Sequence, residues 1–323
     1  MSVLHRFVAF ALALVLSLGT ATATLAQDDA TPAAGTPAAG SSQAPVVGDA
    51  VPVYNTDTLE EVGTITVDEI IDPFEDYSEF SAPERGTRVV AVTYTVENTV
   101  ENDSFDNPSY DLSLGTTQGL LYSSTYVGLP DDTDVVEFGD EDILGGESLS
   151  GTLFYVLGED EEIGGLYYTA FGSYTLLADV SGSASPAVGE TVTAYNAEGE
   201  EMAAVTVTDY VDPFEEYGEF SAPARGERVI AVTVEVENLL ANDGFDFDSY
   251  DFSIQTTEGL LVSTSFVTPA EDSGIEEFED VRLGGGESAE GTIFFVLPED
   301  IEVAGIIYQP DTGIVVNIGD PRA

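Results

Sequence analysis

Within residues 88–98, large apolar residues at every second position alternate with Ala91, Thr93, Thr95 and Glu97, and the same alternation returns at residues 228–238. A period of two places one set of side chains on each face of an extended chain. The pattern therefore predicts a β-strand in each segment, with one buried face and one solvated face. The predicted buried residues are Val90, Val92, Tyr94 and Val96 in the first segment, and Ile230, Val232, Val234 and Val236 in the second.

Shorter apolar runs between turn signals predict further strands at residues 63–70, 109–115, 120–125, 151–157, 166–170 and 174–179. The run GTLFYVL at 151–157 and its counterpart GTIFFVL at 291–297 are apolar on both faces. We expect these two strands at central positions, with one face in the core and the other under a loop. About seven short strands with regular turns are typical of an antiparallel β-sandwich.

One segment is repeated almost unchanged. DPFEDYSEFSAPERGTR at 72–88 returns as DPFEEYGEFSAPARGER at 212–228, with 13 identities in 17 positions. The predicted strands around it follow the same register, in which residue 72 corresponds to residue 212. The repeat predicts two tandem copies of one domain, at residues 46–180 and 187–323, joined by the short linker SGSASP at 181–186.

The first 45 residues predict export rather than a folded domain. His5 and Arg6 precede an apolar run from Phe7 to Leu18 and then small residues ending at Ala26, which is the layout of a cleaved signal peptide at 1–26. An uncleaved anchor is the weaker alternative, because about 20 apolar residues are needed to span a bilayer and this run is shorter. Residues 27–45 repeat TPAAG and predict a disordered spacer. We expect a secreted or envelope-exterior protein with no integral membrane segment in the mature chain.

Both copies carry the same motif series: RGxRV(V/I)AVTxxVEN, SYD(L/F)S, GLL and GGESxxGTxF(Y/F)VL. This series resembles a bacterial family of secreted telokin-like, immunoglobulin-fold domains of unknown function, which is similar in fold to a mycobacterial immunoprotective extracellular antigen. The resemblance implies an all-β chain of two tandem immunoglobulin-like antiparallel β-sandwiches, and it implies no chemistry. Two features depart from the family: the leader lacks a cysteine, and Gly158 stands where the second copy has Pro298.

The charge is extreme, since 61 acidic residues face 7 basic ones and the net charge is −54. A surface this negative repels phosphates, so nucleic acids and anionic lipids are excluded as partners. Two interpretations remain open. The acidic residues form a solvated coat suited to a salty exterior, or some of them gather to bind cations.

Missing residue types exclude most catalytic chemistry. The chain has no cysteine and no lysine, and its single histidine, His5, lies in the predicted leader. Ser-His-Asp and Cys-His catalysis, Schiff bases and zinc sites built on imidazole or thiolate are therefore excluded. A carboxylate pair is the one remaining enzymatic option, and we predict that the protein is not an enzyme.

Acidic loops between strands suggest weak calcium sites. Carboxylates recur two or three residues apart in NDSFD at 102–106 and in NDGFDFD at 242–248, and such oxygens can chelate calcium. The alternative is that these side chains bond to their own backbone in Asx turns. The candidate calcium ligands are Asp103, Asp106, Asp243, Asp246 and Asp248.

The repeated segment also contains candidate partner-binding residues. Asp72, Pro73 and Glu75 resemble a helix start, which would place Phe74 and Tyr77 on one side of a short helix. These aromatics either plug the end of the sandwich or form an exposed patch that grips a partner. The arginines either pair with nearby acids or form an anion site. The full candidate set is Phe74, Tyr77, Arg85, Arg88, Phe214, Tyr217, Arg225 and Arg228.

The function that fits these patterns is a non-enzymatic binding or surface module for an unknown extracellular protein or glycan. The alternative is a structural, acid-coated envelope protein, stabilised by calcium. The exposure of Phe74 and Phe214 distinguishes these two functions. Exposed rings favour the binding module, and rings buried by packing favour the structural protein.

Overall fold

Antiparallel β-strands form nearly all the regular structure of the protein. The computed structural model describes residues 44–55, 58, 60–101, 103–170, 173–311 and 313–323. Sheets dominate throughout this part of the chain, which confirms the all-β prediction. The predicted signal peptide at 1–26 and residues 27–43 of the predicted spacer lie outside the described residues. Within the described ranges, no helix has the length and apolar character needed to cross a membrane.

The first half of the chain forms two four-stranded sheets and one two-stranded sheet. Their strand orders are β1-β2-β3-β8, β10-β9-β5-β6 and β4-β7. The two larger sheets enclose one apolar core. The strands are β1 (Ala50–Tyr54), β2 (Glu61–Ile71), β3 (Thr87–Asn98), β4 (Ser104–Phe105), β5 (Leu112–Thr116), β6 (Leu121–Ser123), β7 (Ile143–Leu144), β8 (Ser148–Gly158), β9 (Ile163–Tyr168) and β10 (Thr175–Asp179).

The second half repeats this arrangement, with the orders β11-β12-β13-β18, β16-β15-β19-β20 and β14-β17. Each of its strands occupies the place of a strand in the first half, and it has its own apolar core. The strands are β11 (Thr191–Tyr195), β12 (Glu201–Phe214), β13 (Glu227–Asn238), β14 (Phe245–Phe247), β15 (Phe252–Thr256), β16 (Leu261–Ser263), β17 (Val281–Leu283), β18 (Ser288–Pro298), β19 (Val303–Asp311) and β20 (Ile314–Gly319).

The alternating pattern of β3 and β13 places their apolar residues in the two cores. Val90, Val92, Tyr94 and Val96 have no exposed surface, and their counterparts in β13 are at most 1% exposed. Full burial of one such side chain contributes about 1.5–3 kcal/mol, so these two strands supply a large share of the core energy. The predicted strand at 109–115 begins later than expected, because Pro108–Tyr110 forms a 3-10 turn.

The predicted central position of β8 and β18 is wrong, because each is the last strand of its four-stranded sheet. Both strands are nevertheless covered on both faces, as predicted. The outer face of β8 carries Phe154, whose ring lies 5.2 Å from the ring of Phe74 and also packs against Val127. In the second half the equivalent distance, between Phe214 and Phe294, is 5.3 Å. A small second apolar cluster therefore lies outside the main core of each half.

The predicted helix start at Asp72 is wrong. The amide nitrogen of Phe74 donates to the carbonyl oxygen of Val89 at 2.8 Å, which continues the pairing of β2 with β3. In the second half β12 runs on through Phe214, which pairs with Val229. The peptide bonds before Pro73 and Pro213 are both cis. Sheet pairing and burial of the phenylalanine outweigh the local capping preference of the sequence.

The two halves contact each other through equivalent residues. Isolated β-bridges join Leu120 to Ile314 and Ser173 to Leu260. Leu120 corresponds to Leu260, and Ser173 corresponds to Ile314, so each half contributes the same two positions. The junction is therefore self-complementary, like the isologous interface of a symmetric dimer. A shared apolar cluster completes it, formed by Tyr174, Ile307 and Val315 with Leu121, Tyr167 and Leu261 against them.

Replacement of Tyr308 by phenylalanine is expected to stabilise the protein by about 1 kcal/mol. The Tyr308 side chain is fully buried, and its hydroxyl has no hydrogen-bond partner within the described ranges. An unsatisfied buried hydroxyl costs free energy that the phenyl ring does not. Chemical unfolding monitored by circular dichroism measures the change.

Tyr155→Phe is the matched control. The Tyr155 hydroxyl is also buried, but it lies 3.0 Å from the hydroxyl of Tyr94 and donates to the carbonyl oxygen of Leu112 at 3.2 Å. Its removal breaks these bonds and is expected to cost about 1 kcal/mol. Equal and destabilising effects of both substitutions would contradict this account of Tyr308.

Candidate functional site

Arg88 and Arg228 are held in ion pairs at the start of β3 and β13. The Arg88 guanidinium donates to both carboxylate oxygens of Asp72, at 2.6 and 3.0 Å, and to the carbonyl oxygens of Gly158 and Glu161. Arg228 makes the same bidentate pair with Asp212 and also donates to two carbonyls. The hydrogen bond to Asp72 raises the pKa of Arg88. Most donors of these two guanidinium groups are occupied, so neither is free to bind an anion.

Arg85 and Arg225 differ from their neighbours in the same segment. Both are exposed, and within the part of the chain that the structure describes neither makes a hydrogen bond or an ion pair. Arg282 and Arg322, by contrast, pair with Asp246 and Asp320. The two unpaired guanidinium groups therefore occupy equivalent positions in the two halves.

The interpretation of Phe74 and Phe214 as an exposed patch is wrong. Only 3% and 4% of these side chains are exposed, because each packs on the outer face of its sheet. Tyr77 and Tyr217 are half-buried against the same clusters, and the Phe214 and Tyr217 rings lie 6.4 Å apart. These four aromatics complete the sandwiches, so their surfaces are largely unavailable to a partner.

A different set of aromatic side chains is exposed, between 75% and 96%. They occupy three pairs of positions, and the members of each pair stand at corresponding places in the two halves. Sequence reasoning missed them, although Phe80 and Phe220 lie inside the repeated segment and Tyr110 and Tyr250 inside the SYD motif. The six, which we call the exposed aromatics, are Phe80, Tyr110, Tyr126, Phe220, Tyr250 and Phe266.

Two exposed aliphatic residues of the first half have no apolar counterpart, although Ile71 and Val211 form an exposed aliphatic pair at corresponding positions. Val136 is 68% exposed and Leu144 is 57% exposed. Their counterparts in the second half are Glu276 and Gly284, which are not apolar side chains. The two halves have therefore diverged at these surface positions while both keep an aromatic ring at the other three.

The loops that carry the exposed aromatics are tied together. In the first half the amide of Gly128 donates to the hydroxyl of Ser81 at 2.8 Å, which links the loop of Phe80 to the loop of Tyr126. In the second half Tyr250 and Phe266 line the same small groove, with a volume of about 120 Å³. These contacts bring together two of the three ring-bearing loops in each half.

The candidate calcium ligands form no metal-binding group among the described residues, although Asp103 and Asp106 line one cavity. Asp103 accepts a hydrogen bond from the Ser104 amide at 2.9 Å, and Asp248 accepts one from the Tyr250 amide at 2.9 Å. Asp246 pairs with Arg282, and Asp243 and Asp106 lie elsewhere in the same loops. Across the described ranges no group of three or more acidic side chains is arranged to hold a metal ion. The geometry favours the Asx-turn alternative, and calcium binding stays a prediction; Asn102 lies outside the described residues.

Comparison with known proteins relates the second half to a family without an assigned function. Residues 187–316 match a family described as a domain of unknown function, DUF4352. No curated protein matches the chain. Two solved Bacillus subtilis structures are similar, each with 18% identity. One is the ycdA protein, a candidate lipoprotein, with a TM-score of 0.30 over 42% of this chain and 40% of that chain. The other is the yjhA protein, with a TM-score of 0.29 over 39% of this chain and 82% of that chain.

Proposed function

We propose that the protein is a non-enzymatic binding module that holds an extracellular protein through the exposed aromatics of its two halves. The observation that carries this proposal is the repetition of exposed rings at three equivalent pairs of positions. A single exposed apolar residue is ordinary on a protein surface. Three pairs of highly exposed rings at corresponding positions support a shared binding role.

The chemistry of the surface favours a protein partner. Aromatic residues and arginine are enriched at protein interfaces and supply most of the binding energy there. Each half combines three exposed rings with one unpaired arginine, Arg85 or Arg225. The acidic surroundings favour a partner with a basic contact surface, since complementary charge speeds association.

The setting of this module outside the cell is part of the proposal. The predicted signal peptide at 1–26 and spacer at 27–45 support secretion or display at the envelope exterior. The matching sheet orders of the two halves support tandem immunoglobulin-like copies, of the telokin-like kind that the motifs resemble. Two copies would bind one partner, or a repeating partner, with increased avidity.

The test uses serine replacements in the mature full-length chain. One variant changes Phe80, Tyr110 and Tyr126, a second changes Phe220, Tyr250 and Phe266, and a third changes all six. Binding to culture-supernatant and envelope fractions is measured by biolayer interferometry. We expect at least roughly thirtyfold weaker binding for each single-half variant and no binding for the third, because even one aromatic hot spot contributes about 2 kcal/mol or more.

A control variant replaces the exposed aliphatic residues Val136 and Leu144 with serine and is expected to bind like the wild type. Protease treatment of the fractions should abolish binding, whereas survival of binding would identify a glycan partner instead. Equal binding of all variants would contradict the proposal. The second candidate function, a structural acid-coated protein, would then stand, and the burial of Phe74 and Phe214 favours it.

A further inference from the structure

A cavity of about 520 Å³ opens at one end of the first half, beside β1, β2 and β4 and next to the end of β9. Val62, Phe105 and Tyr168 supply apolar walls. Asp103, Asp106 and Asp111 also line it. This combination of apolar walls and a few polar groups is typical of small-molecule sites, and the volume is within their usual range.

The acidic lining of the cavity lacks a counter-charge. None of its lining residues is an arginine, and its three aspartates make no ion pair within the described ranges. Asp111 is half-buried, and burial together with the nearby charge of Asp106 raises its pKa. Two carboxylates close enough to affect each other, in a partly buried site, favour the approach of a cation.

Tyr168 presents a further polar group to the cavity. The residue is 8% exposed and lines the cavity, and its hydroxyl makes no hydrogen bond in the described part of the chain. Burial, then the charges of Asp111 and Asp106, raise the pKa of Tyr168. Unlike the hydroxyl of Tyr308, this hydroxyl is not fully buried, so a donor or acceptor on a ligand in the cavity can reach it.

The corresponding region of the second half contains an arginine and additional apolar side chains of the protein itself. Asp246, the counterpart of Asp106, pairs with Arg282, whereas residue 142 at the corresponding position is an aspartate. Met202 replaces Val62 and is 5% exposed. Phe247 adds a buried ring 6.2 Å from Tyr308, the counterpart of Tyr168. In the first half the ring of Phe105 lies 6.3 Å from that of Tyr168, but asparagine stands at position 107, which corresponds to Phe247. The second half thus has an arginine and an additional buried ring that the first half lacks at these positions.

We infer that the cavity of the first half binds an organic ammonium cation. The charged head lies among Asp103, Asp106 and Asp111 and donates to their carboxylates and to the Tyr168 hydroxyl. The apolar body lies against Val62 and Phe105. A bare metal ion fits less well, because the described acidic side chains form no group able to hold one and half of the cavity is apolar. None of the exposed aromatics lines this cavity, so the inference goes beyond the proposed function and does not depend on it.

The experiment titrates the mature full-length chain with 2-phenylethylammonium chloride by isothermal calorimetry. Because the whole chain is strongly acidic, the buffer contains about 0.3 M sodium chloride to screen diffuse attraction of cations. We expect saturable binding to one site. The neutral isostere 2-phenylethanol should bind at least about tenfold more weakly, since it cannot replace the missing positive charge. Calcium chloride is expected to give no saturable binding under these conditions.

Substitutions locate the site. Asp111→Asn should weaken binding of the ammonium at least about tenfold, and Val62→Met, which copies the second half, should abolish it. Asp251→Asn changes the counterpart of Asp111 and is the matched control, with binding equal to that of the wild type. Thermal unfolding gives a second measurement, because the ammonium should raise the unfolding temperature of the wild type and of Asp251→Asn only.

Three results would overturn the inference. The first is equal affinity for the ammonium and the alcohol, which would show a purely apolar site. The second is equal loss of binding in Asp111→Asn and Asp251→Asn, which would show diffuse attraction to surface charge. The third is saturable binding of calcium alone. If Val62→Met fails to fold, the comparison of Asp111→Asn with Asp251→Asn still decides the outcome.

Discussion

Replacement of Gly291 by alanine is expected to lower the free energy of unfolding by about 3 kcal/mol. Gly291 lies in β18, and the segment carrying Phe278 pairs with this strand through an isolated parallel bridge between Glu277 and Thr292. A Cβ atom at this position would lie 2.4 Å from the Cα and 2.7 Å from the amide nitrogen of Phe278. These are backbone atoms held by hydrogen bonds to Thr292, so the contact cannot be relieved by a side-chain rotation.

Urea unfolding of the full-length chain measures this effect. The control is Gly218→Ala, because the nearest atom to a Cβ at Gly218 is 3.5 Å away and the first half already has Ser78 at that position. Gly151→Ala should be as damaging as Gly291→Ala, since its Cβ would lie 2.4 Å from the Cα of Phe138. The prediction is contradicted if Gly291→Ala and Gly218→Ala have the same unfolding midpoint within error. That result would show that the segment carrying Phe278 can shift to make room for the added methyl group.

Arg228→Ala is the second substitution expected to have a large effect, a loss of about 2 kcal/mol of stability. It removes a bidentate ion pair with Asp212 and two bonds to main-chain carbonyls, of which the bond to Ile301 is 2.8 Å long. The pair is partly buried, with 15% and 20% of the two side chains exposed. The expected cost lies between the roughly 3–5 kcal/mol of a broken buried pair and the roughly 0–1 kcal/mol of an exposed one.

Two further substitutions test the reason for this effect. Arg228→Lys keeps the charge but should recover less than half of the lost stability, because an ammonium cannot make the planar bidentate pair and reach both carbonyls. Arg282→Ala removes an ion pair whose side chains are 62% and 71% exposed, and is expected to cost no more than about 0.5 kcal/mol. Equal losses for Arg228→Ala and Arg282→Ala in urea unfolding would contradict the assignment.

The strands were predictable because their signal is local. In β3 the alternation of apolar and polar residues specifies which side chains face the core. The same alternation in β13 makes the strand prediction firmer than a single occurrence would. The apolar character of β8 on both faces similarly indicated that something covers its outer face. By contrast β4 and β7 contain only two residues each, which is too short for any periodic pattern.

The segment at 72–88 shows the limit of local signals. Its first residues have the composition of a helix start, yet they pair with β3 and bury Phe74. Two phenylalanines in this segment have opposite surroundings, since Phe74 is buried and Phe80 is 91% exposed. Two arginines differ in the same way, because Arg88 has a carboxylate partner and Arg85 has none within the described ranges. Residue type alone cannot distinguish the members of either pair.

The sequence by itself determined the main β-strands, the repeat that relates residues 72–88 to 212–228, and the absence of cysteine and lysine. Each of these depends on residue identity or on spacing along the chain. Only the tertiary structure decided which aromatics are exposed, which arginines are paired, and that a cavity lies in the first half beside Tyr168. The physical reason is that exposure, pairing and empty volume depend on contacts between residues far apart in the sequence. Asp72 with Arg88 and Phe74 with Phe154 are examples, and the spacing of residues along the chain does not reveal them.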